Sequence, residues 1–345
     1  MPKKPVTPLH REDVARAVER RNPPRIPLVR ACWWGEGLAE QYGDRLLGLQ
    51  QRHPDDVAWM FASPGQPEDM GLSWSWEQGA HDARIVLGDW SRLDEYLAKL
   101  PRPESDPKME KHRDKAARAR AEDRYVLFGW WRLLFERGWG LRGMENLMVD
   151  MYDAPDNVHR MHAGLTETYC RYIRHASQSL GANGFWTSDD LGHQTGPMMS
   201  PKLFREFYFP YYKKIAETVR ECGMHFWLHS CGDNTLLLPD LADAGVTVFH
   251  PVQKGTMDER KTAAEFGDRL AFLAGIDVQH VLQEADPEGV RREVRHLIDT
   301  FDRPDGGMCI AAGNGIVAGT PFENIEAFLD EATSYGAAHR KGFVS

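Results

Sequence analysis

The chain has 345 residues, an apolar fraction of 42% and a formal net charge of -9, which allows two average domains or one large α/β barrel. The acidic balance argues against a nucleic-acid role, which would want a basic face, and no apolar run reaches membrane-spanning length. The N-terminal stretch is polar and lacks the apolar core of a secretory signal, and the cysteines, five in number and scattered, argue against a disulfide framework; a cytoplasmic protein is expected.

Residues 1–24 read as an N-terminal arm with one short helix, and 25–345 as a single domain. A first strand over 26–31 ends in Arg30-Ala31-Cys32-Trp33-Trp34. A helix over 46–51 stops near Pro54, and 57–61 is a second strand. Residues 66–90 form an excursion between the second and third strands. A helix over 91–100, a proline-bounded linker and a highly charged helix over 108–123 follow; the charged helix reads as a solvated face. The third strand is 125–131. Helices are expected over 142–151 and 155–180, with Pro155 in the first turn of the second. The fourth strand, 185–187, leads into Ser188-Asp189-Asp190.

Ser200-Pro201 has the form of a helix start. Phe204, Tyr208, Tyr211, Ile215 and Val219 then recur at helical spacing, with a bend expected at Pro210. The fifth strand, 226–229, precedes a helix over 236–241. The sixth is 246–249 and the seventh 270–274, with a helix over 258–266 between them. Asp286-Pro287 opens another helix, 308–312 is the eighth strand, and Thr320-Pro321-Phe322-Glu323 is a capping box for a last helix that Gly336 can terminate. Eight apolar strands, most followed by helices and none joined by a tight hairpin, predict a (β/α)8 TIM barrel. The alternative, a doubly wound open sheet, would want a Gly-rich turn after the first strand, and none is there.

In such a barrel the chemistry lies at the carboxyl ends of the strands. Those positions carry Arg30, Ser63, Trp130, Trp131, Asp189, Asp190, His229, Cys231, Gln253, Asp277 and Asn314. His229 and Cys231 are two apart, so on an extended chain both face one side, and an imidazole beside a thiolate suits zinc. Asp189, Asp190 and Asp277 are the catalytic candidates, to orient substrate or move a proton. Their plainer reading is as turn or cap residues. Arg30 can hold a substrate carboxylate or pair with Asp189 or Asp190. Trp33, Trp130 and Trp131 can wall an apolar pocket, although most of the tryptophans should simply fill core space. Gln253 and Asn314 suit ligand orientation.

Several ordered motifs resemble the uroporphyrinogen decarboxylase superfamily, which also contains zinc-dependent methyltransferases working with corrinoid proteins. They are Ser188-Asp189-Asp190-Leu191-Gly192-His193-Gln194, Ser200-Pro201, His229-Ser230-Cys231-Gly232, His250-Pro251-Val252-Gln253, Phe266-Gly267-Asp268-Arg269, Gly275-Ile276-Asp277 and Gly319-Thr320-Pro321-Phe322-Glu323. The resemblance implies a (β/α)8 barrel and adds Gln194 to the substrate-binding candidates. The true decarboxylases have an arginine-rich N-terminal segment and an aspartate after the second strand. The matching places here read Leu28-Val29-Arg30-Ala31-Cys32-Trp33 and Ala62-Ser63-Pro64, with one arginine and no acid. The methyltransferase branch is similar at His229 and Cys231, two of its three zinc ligands. Its third is a cysteine after the last strand, where this chain has Asn314; Cys32, Cys309, Asp190 or water remain for that place.

The resemblance therefore implies a methyl-transfer enzyme with zinc, a small-molecule methyl donor or acceptor, a separate corrinoid protein as partner, and no nucleic acid or membrane. A homodimer is a compatible assembly. The alternatives are a porphyrinogen decarboxylase with Arg30 as carboxylate anchor, and a barrel that binds a small ligand without turning it over.

Overall fold

The computed structural model describes residues 6–65, 75–76 and 84–344. They pack into two compact units, the first built from Met1–Trp59, Arg118–Val126 and Thr247–Ser345, the second from Met60–Ala117 and Leu127–Val246. The fold is α/β, with seven strands in parallel-sheet arrangement: β1 (Val57–Phe61), β2 (Tyr125–Trp130), β3 (Gly184–Ser188), β4 (His225–His229), β5 (Val248–His250), β6 (Ala271–Ile276) and β7 (Met308–Ala312). Among the described residues no helix is long and apolar enough to cross a membrane.

In the second unit β2, β3 and β4 are parallel neighbours, with Phe128 opposite Phe185 and Ser188 opposite His229. β1 joins on the β2 side, where the Ala62 N–H donates to the Gly129 carbonyl at 3.1 Å. A Cβ on Gly129 would sit 1.8 Å from the Trp186 carbonyl oxygen, so only glycine lets these two strands meet. The strand bodies are buried throughout, as expected of parallel strands covered on both faces. The register brings the ends of β3 and β4 level, which is what positions the site described below.

In the first unit β6 lies between β5 and β7, again parallel. Helix Pro287–Phe301 lays Val290, Val294, Leu297, Ile298 and Phe301 against the core, each such side chain contributing about 1.5–3 kcal/mol on burial. The expected first strand, 26–31, is reduced to one parallel bridge between Leu28 and Ile310. The cause is local. Pro27 has no N–H to give, and the Leu28 N–H turns to the Asp56 carboxylate at 2.7 Å while those of Arg30 and Ala31 turn to Asp55. A 3-10 turn over Ala31–Trp33 then ends the extended run.

Other expectations are adjusted in detail. Most of the excursion over 66–90 lies outside the described residues; within it, Ser75–Trp76 pairs antiparallel with Arg84–Ile85. An additional helix, Phe135–Arg142, follows β2. At Pro210 the amphipathic run breaks into two helices, Pro201–Phe207 and Phe209–Glu221, with the proline in the first turn of the second. The last helix continues through Gly336 to Val344.

Candidate metal centre

The loop after β4 is held from inside by one side chain. Asn234, fully buried, donates from Nδ2 to the carbonyls of Ser230 (3.1 Å), Cys231 (3.0 Å) and Gly232 (3.1 Å). The Ser230 hydroxyl donates to Asn234 Oδ1 at 3.0 Å and accepts the Leu191 N–H at 3.0 Å. Gly232 sits at φ +80° against Gly192, where a Cβ would come within 2.3 Å of the Gly192 carbonyl carbon. The two chain segments thus cross with no room for a side chain, and the Asp233 N–H closes the crossing on the His193 carbonyl at 2.7 Å. This crossing brings Asp190, at the end of β3, over the end of β4.

There the Cys231 N–H donates to Asp190 Oδ1 at 2.8 Å. His229 Nε2 lies 3.3 Å from Cys231 Sγ and 3.7 Å from Asp190 Oδ1, and one donor atom from each of the three residues lies within 4.8 Å of the others. Burial pushes the His229 imidazole below its ordinary pKa, against the opposing pull of Asp190, so it is neutral and able to ligate at physiological pH. An imidazole nitrogen, a thiol sulfur and a carboxylate oxygen are each accepted zinc donors, and three protein donors leave a fourth tetrahedral position for substrate or water. The residues present therefore fit zinc. Asp190, which the sequence offers both as a catalytic acid and as one of several third-ligand candidates, is the candidate whose donor atom lies with those of His229 and Cys231.

Asp189 takes a different role from its neighbour. It is fully buried, and its oxygens accept the N–H groups of Leu134 (3.2 Å), Phe135 (3.1 Å) and Glu136 (2.8 Å) and the Tyr212 hydroxyl (2.7 Å). It is the cap of helix Phe135–Arg142, satisfying donors that a helix start leaves orphaned. Burial pushes its carboxyl up to about 6 in spite of these bonds. With both oxygens engaged, Asp189 holds the scaffold, and Asp190 is the acid that faces His229 and Cys231.

The same helix start carries Glu136, which the sequence reading passed over. Its carboxylate accepts the Ser188 hydroxyl, and burial first, then the charges of Asp190 and Asp189, push it up to about 8. A glutamate in the otherwise apolar run Leu133-Leu134-Phe135, just beyond a strand end, was the available signal. Glu136 is a carboxylic acid that keeps its proton at neutral pH within reach of the Asp190 charge.

The aromatic candidates separate by strand alternation. Trp130 is fully buried against Phe185 (ring centroids 4.6 Å) and Tyr169 (5.0 Å), and so belongs to the core rather than to a pocket wall. Trp131 is 39% exposed, 6.0 Å from the His229 ring and edge-on to Trp186 at 4.4 Å. Phe61 stacks on its other side at 6.3 Å. Gln194 is exposed at the tip of a short ladder between Gly192–His193 and Gly196–Pro197.

The remaining candidates belong to the first unit. The Arg30 guanidinium donates to the carbonyls of His53 and Gln50 at the end of helix Leu38–Arg52. That tie occupies its charge in structure, where the sequence suggested a carboxylate anchor. Trp33 is 1% exposed and stacks on His250 at 4.5 Å. Asp277 accepts the N–H groups of Gln279 (2.7 Å) and His280 (2.8 Å), a turn cap. The Gln253 carbonyl accepts the Thr256 and Met257 N–H groups, and Asn314 Oδ1 accepts the Gly315 N–H at 2.8 Å. Cys309 lies fully buried inside β7.

Comparison with known proteins places these features in context. The family described as Uroporphyrinogen decarboxylase (URO-D) matches residues 133–335. A methylated-thiol–coenzyme M methyltransferase of Methanosarcina mazei is 24% identical over 189 residues, 55% of this chain. That match spans 48% of the methyltransferase, about half its length. A uroporphyrinogen decarboxylase of Methylibium petroleiphilum is 25% identical over 312 residues, covering 84% of this chain and 79% of that protein. Among solved structures, a methyltransferase from Methanosarcina mazei superposes with a TM-score of 0.64 at 15% identity, over 97% of this chain and 99% of its own. That likeness shows a shared fold.

Proposed function

The chain belongs to the uroporphyrinogen decarboxylase family, and on that premise we propose that it is a methyl-transfer enzyme holding zinc through Asp190, His229 and Cys231. The observation that carries the proposal is the convergence of those three donor atoms within 4.8 Å. Zinc held there would supply a Lewis acid to the heteroatom that gives up or accepts the methyl group. Trp131 and Trp186 flank the His229 ring at 6.0 and 6.3 Å and would give a methylated substrate an apolar wall. Glu136, whose carboxyl feels the Asp190 charge, would hold a proton for a leaving heteroatom that needs one. The methyl donor or acceptor is a small molecule, and a separate corrinoid protein in the cytoplasm is its partner in the exchange.

The proposal takes 25–345 as one (β/α)8 barrel domain whose eighth position is filled by the segment at Leu28. Gln194, exposed in the unit that carries the three donors, would be a polar group to orient substrate.

The test is metal analysis of protein purified without chelator. About one equivalent of zinc is expected, falling below about 0.1 in His229→Ala and Cys231→Ser. Cob(I)alamin serves as surrogate acceptor for a methylated thiol, and methyl transfer should disappear in the same variants. A zinc-free native protein would overturn the proposal. So would variants that transfer methyl groups at the native rate.

A further inference from the structure

The first unit contains a cavity of about 760 Å³ remote in sequence from the residues of the metal centre. It opens between helices Glu259–Phe266 and Pro287–Phe301, and its floor is Phe272 and Gly307, at the amino-terminal ends of β6 and β7. Its rim carries Arg260, Arg292, Arg295, His296 and Arg303, with Asp299 as the one acid in the lining. That concentration of positive charge is unusual for a chain of net charge -9.

Three of the basic groups are partnered. Arg295 meets Glu331 at 2.7 Å, Arg303 meets Asp268 at 2.6 Å, and His296 meets Glu259 at 2.6 Å. Arg260 and Arg292 have no ion-pair or hydrogen-bond partner among the described residues. Asp299 is engaged by the Tyr335 hydroxyl at 2.7 Å and by His339, so it does not neutralise them.

A sixth basic group stands behind the cavity wall. Arg20, at φ +55°, donates from Nε to the Gly267 carbonyl at 2.7 Å, and a Cβ on Gly307 would lie 3.3 Å from that nitrogen. Its Nη2 is buried and lacks a hydrogen-bond partner among the described residues. Burial, then the charge of Arg303, lowers its affinity for its proton. Asp305 and Asp268 pull the other way on Arg20 and pair with Arg303, so the cations left for a ligand are Arg260 and Arg292 on the rim, with the unsatisfied Arg20 Nη2 beside them. A multivalent anion relieves that arrangement. Arginine's planar fork matches phosphate oxygens two at a time, and a cavity of this size takes ligands larger than one phosphate group.

We propose that this cavity is a binding site for a small phosphate-bearing molecule, with Arg260 and Arg292 as its direct ligands to the phosphate. Both side chains are exposed and touch no partner, so their removal leaves the fold alone. The site is independent of the metal centre and of the reaction proposed there.

Inorganic pyrophosphate is the probe, titrated calorimetrically into the full chain in magnesium-free buffer at low ionic strength, with adenosine as the uncharged control. Saturable pyrophosphate binding with Kd below about 1 mM is expected, weakening as salt is added, while adenosine gives no heat. Arg260→Ala with Arg292→Ala should raise Kd at least about tenfold, with an unchanged melting temperature to show that the variant is folded. His229→Ala with Cys231→Ser should leave Kd unchanged. Absence of saturable binding by the native chain overturns the proposal. It is equally overturned if the arginine variant binds as the native chain does, if the metal-centre variant loses binding, or if adenosine binds as well as pyrophosphate.

Discussion

Replacing Glu136 by glutamine should make the protein more stable at neutral pH, and by an amount that depends on pH. Glu136 has its carboxyl pushed up from an ordinary 4.5 to about 8, first by burial and then by the charges of Asp190 and Asp189. A carboxyl raised in this way binds its proton more tightly folded than unfolded. Its cost is absent below the unfolded value of 4.5 and grows by about 1.4 kcal/mol for each unit up to about 8, where it levels off. At pH 7 the cost has reached about 3 kcal/mol by that slope. Glutamine keeps an oxygen to accept the Ser188 hydroxyl and does not ionise. The variant should match the native protein near pH 4.5 and exceed it by about 3 kcal/mol at pH 7. Urea unfolding of both proteins across pH 4.5 to 8.5, in the presence of a chelator, reads the difference directly. A constant gap between the two curves, or a glutamine variant that is weaker at pH 7, would refute the reasoning.

Two further substitutions probe the scaffold. Gly232→Ala places a Cβ 2.3 Å from the Gly192 carbonyl carbon at φ +80°. It should cost at least about 3 kcal/mol in unfolding free energy and lower bound zinc measured on the same sample. Asp189→Asn turns an amide toward donors that now meet a carboxylate. The lost hydrogen bonds should cost about 3 kcal/mol, but the variant also removes a carboxyl that burial raises to about 6, whose ionisation costs stability as pH rises from 3.8 to 6. In denaturant unfolding the destabilisation should therefore be largest near pH 4 and shrink toward pH 7, and a variant silent at pH 4 would show that Asp189 is not what caps helix Phe135–Arg142.

What the sequence could show was local. The apolar runs marked the strand bodies, and the two-residue spacing of His229 and Cys231 put both on one side of the chain. The same alternation, applied to Trp130 and Trp131, would have separated core from wall. The rest depends on partners far along the chain. Asp189 and Asp190 are adjacent acids, and only the N–H groups of 134–136, more than fifty residues earlier, turn one into a cap while the other meets His229. The first strand reads as apolar, but carboxylates at Asp55 and Asp56 take the donors its ladder would need. Glu136 looks like any helix glutamate until burial and two neighbouring carboxylates act on it. Asn234, which ties the metal loop, carries no motif that distinguishes it from a turn residue.

The assignment of Asp190 as third ligand faces a direct objection: it already has a structural task, accepting the Cys231 N–H at 2.8 Å. Asp190→Asn separates the two roles. Asparagine keeps an oxygen for that N–H, so a residue that only positions the loop should tolerate the change. A ligand should not, because the change removes the negative charge that helps balance zinc; by comparison, losing even an outer-shell partner costs about 10–100-fold in metal affinity. Zinc competition against a chromophoric chelator should therefore show at least about tenfold weaker binding by Asp190→Asn. The variant carries a second signature that metal binding cannot mimic. The Asp190 charge is, after burial, the largest cause raising Glu136. Without it the Glu136 carboxyl moves back toward its ordinary value. The loss of stability between pH 4.5 and 8 must then become shallower in metal-free Asp190→Asn than in the metal-free native chain. Native zinc affinity in the variant would return Asp190 to a purely positional role. An unchanged pH slope would remove it from the neighbourhood of Glu136.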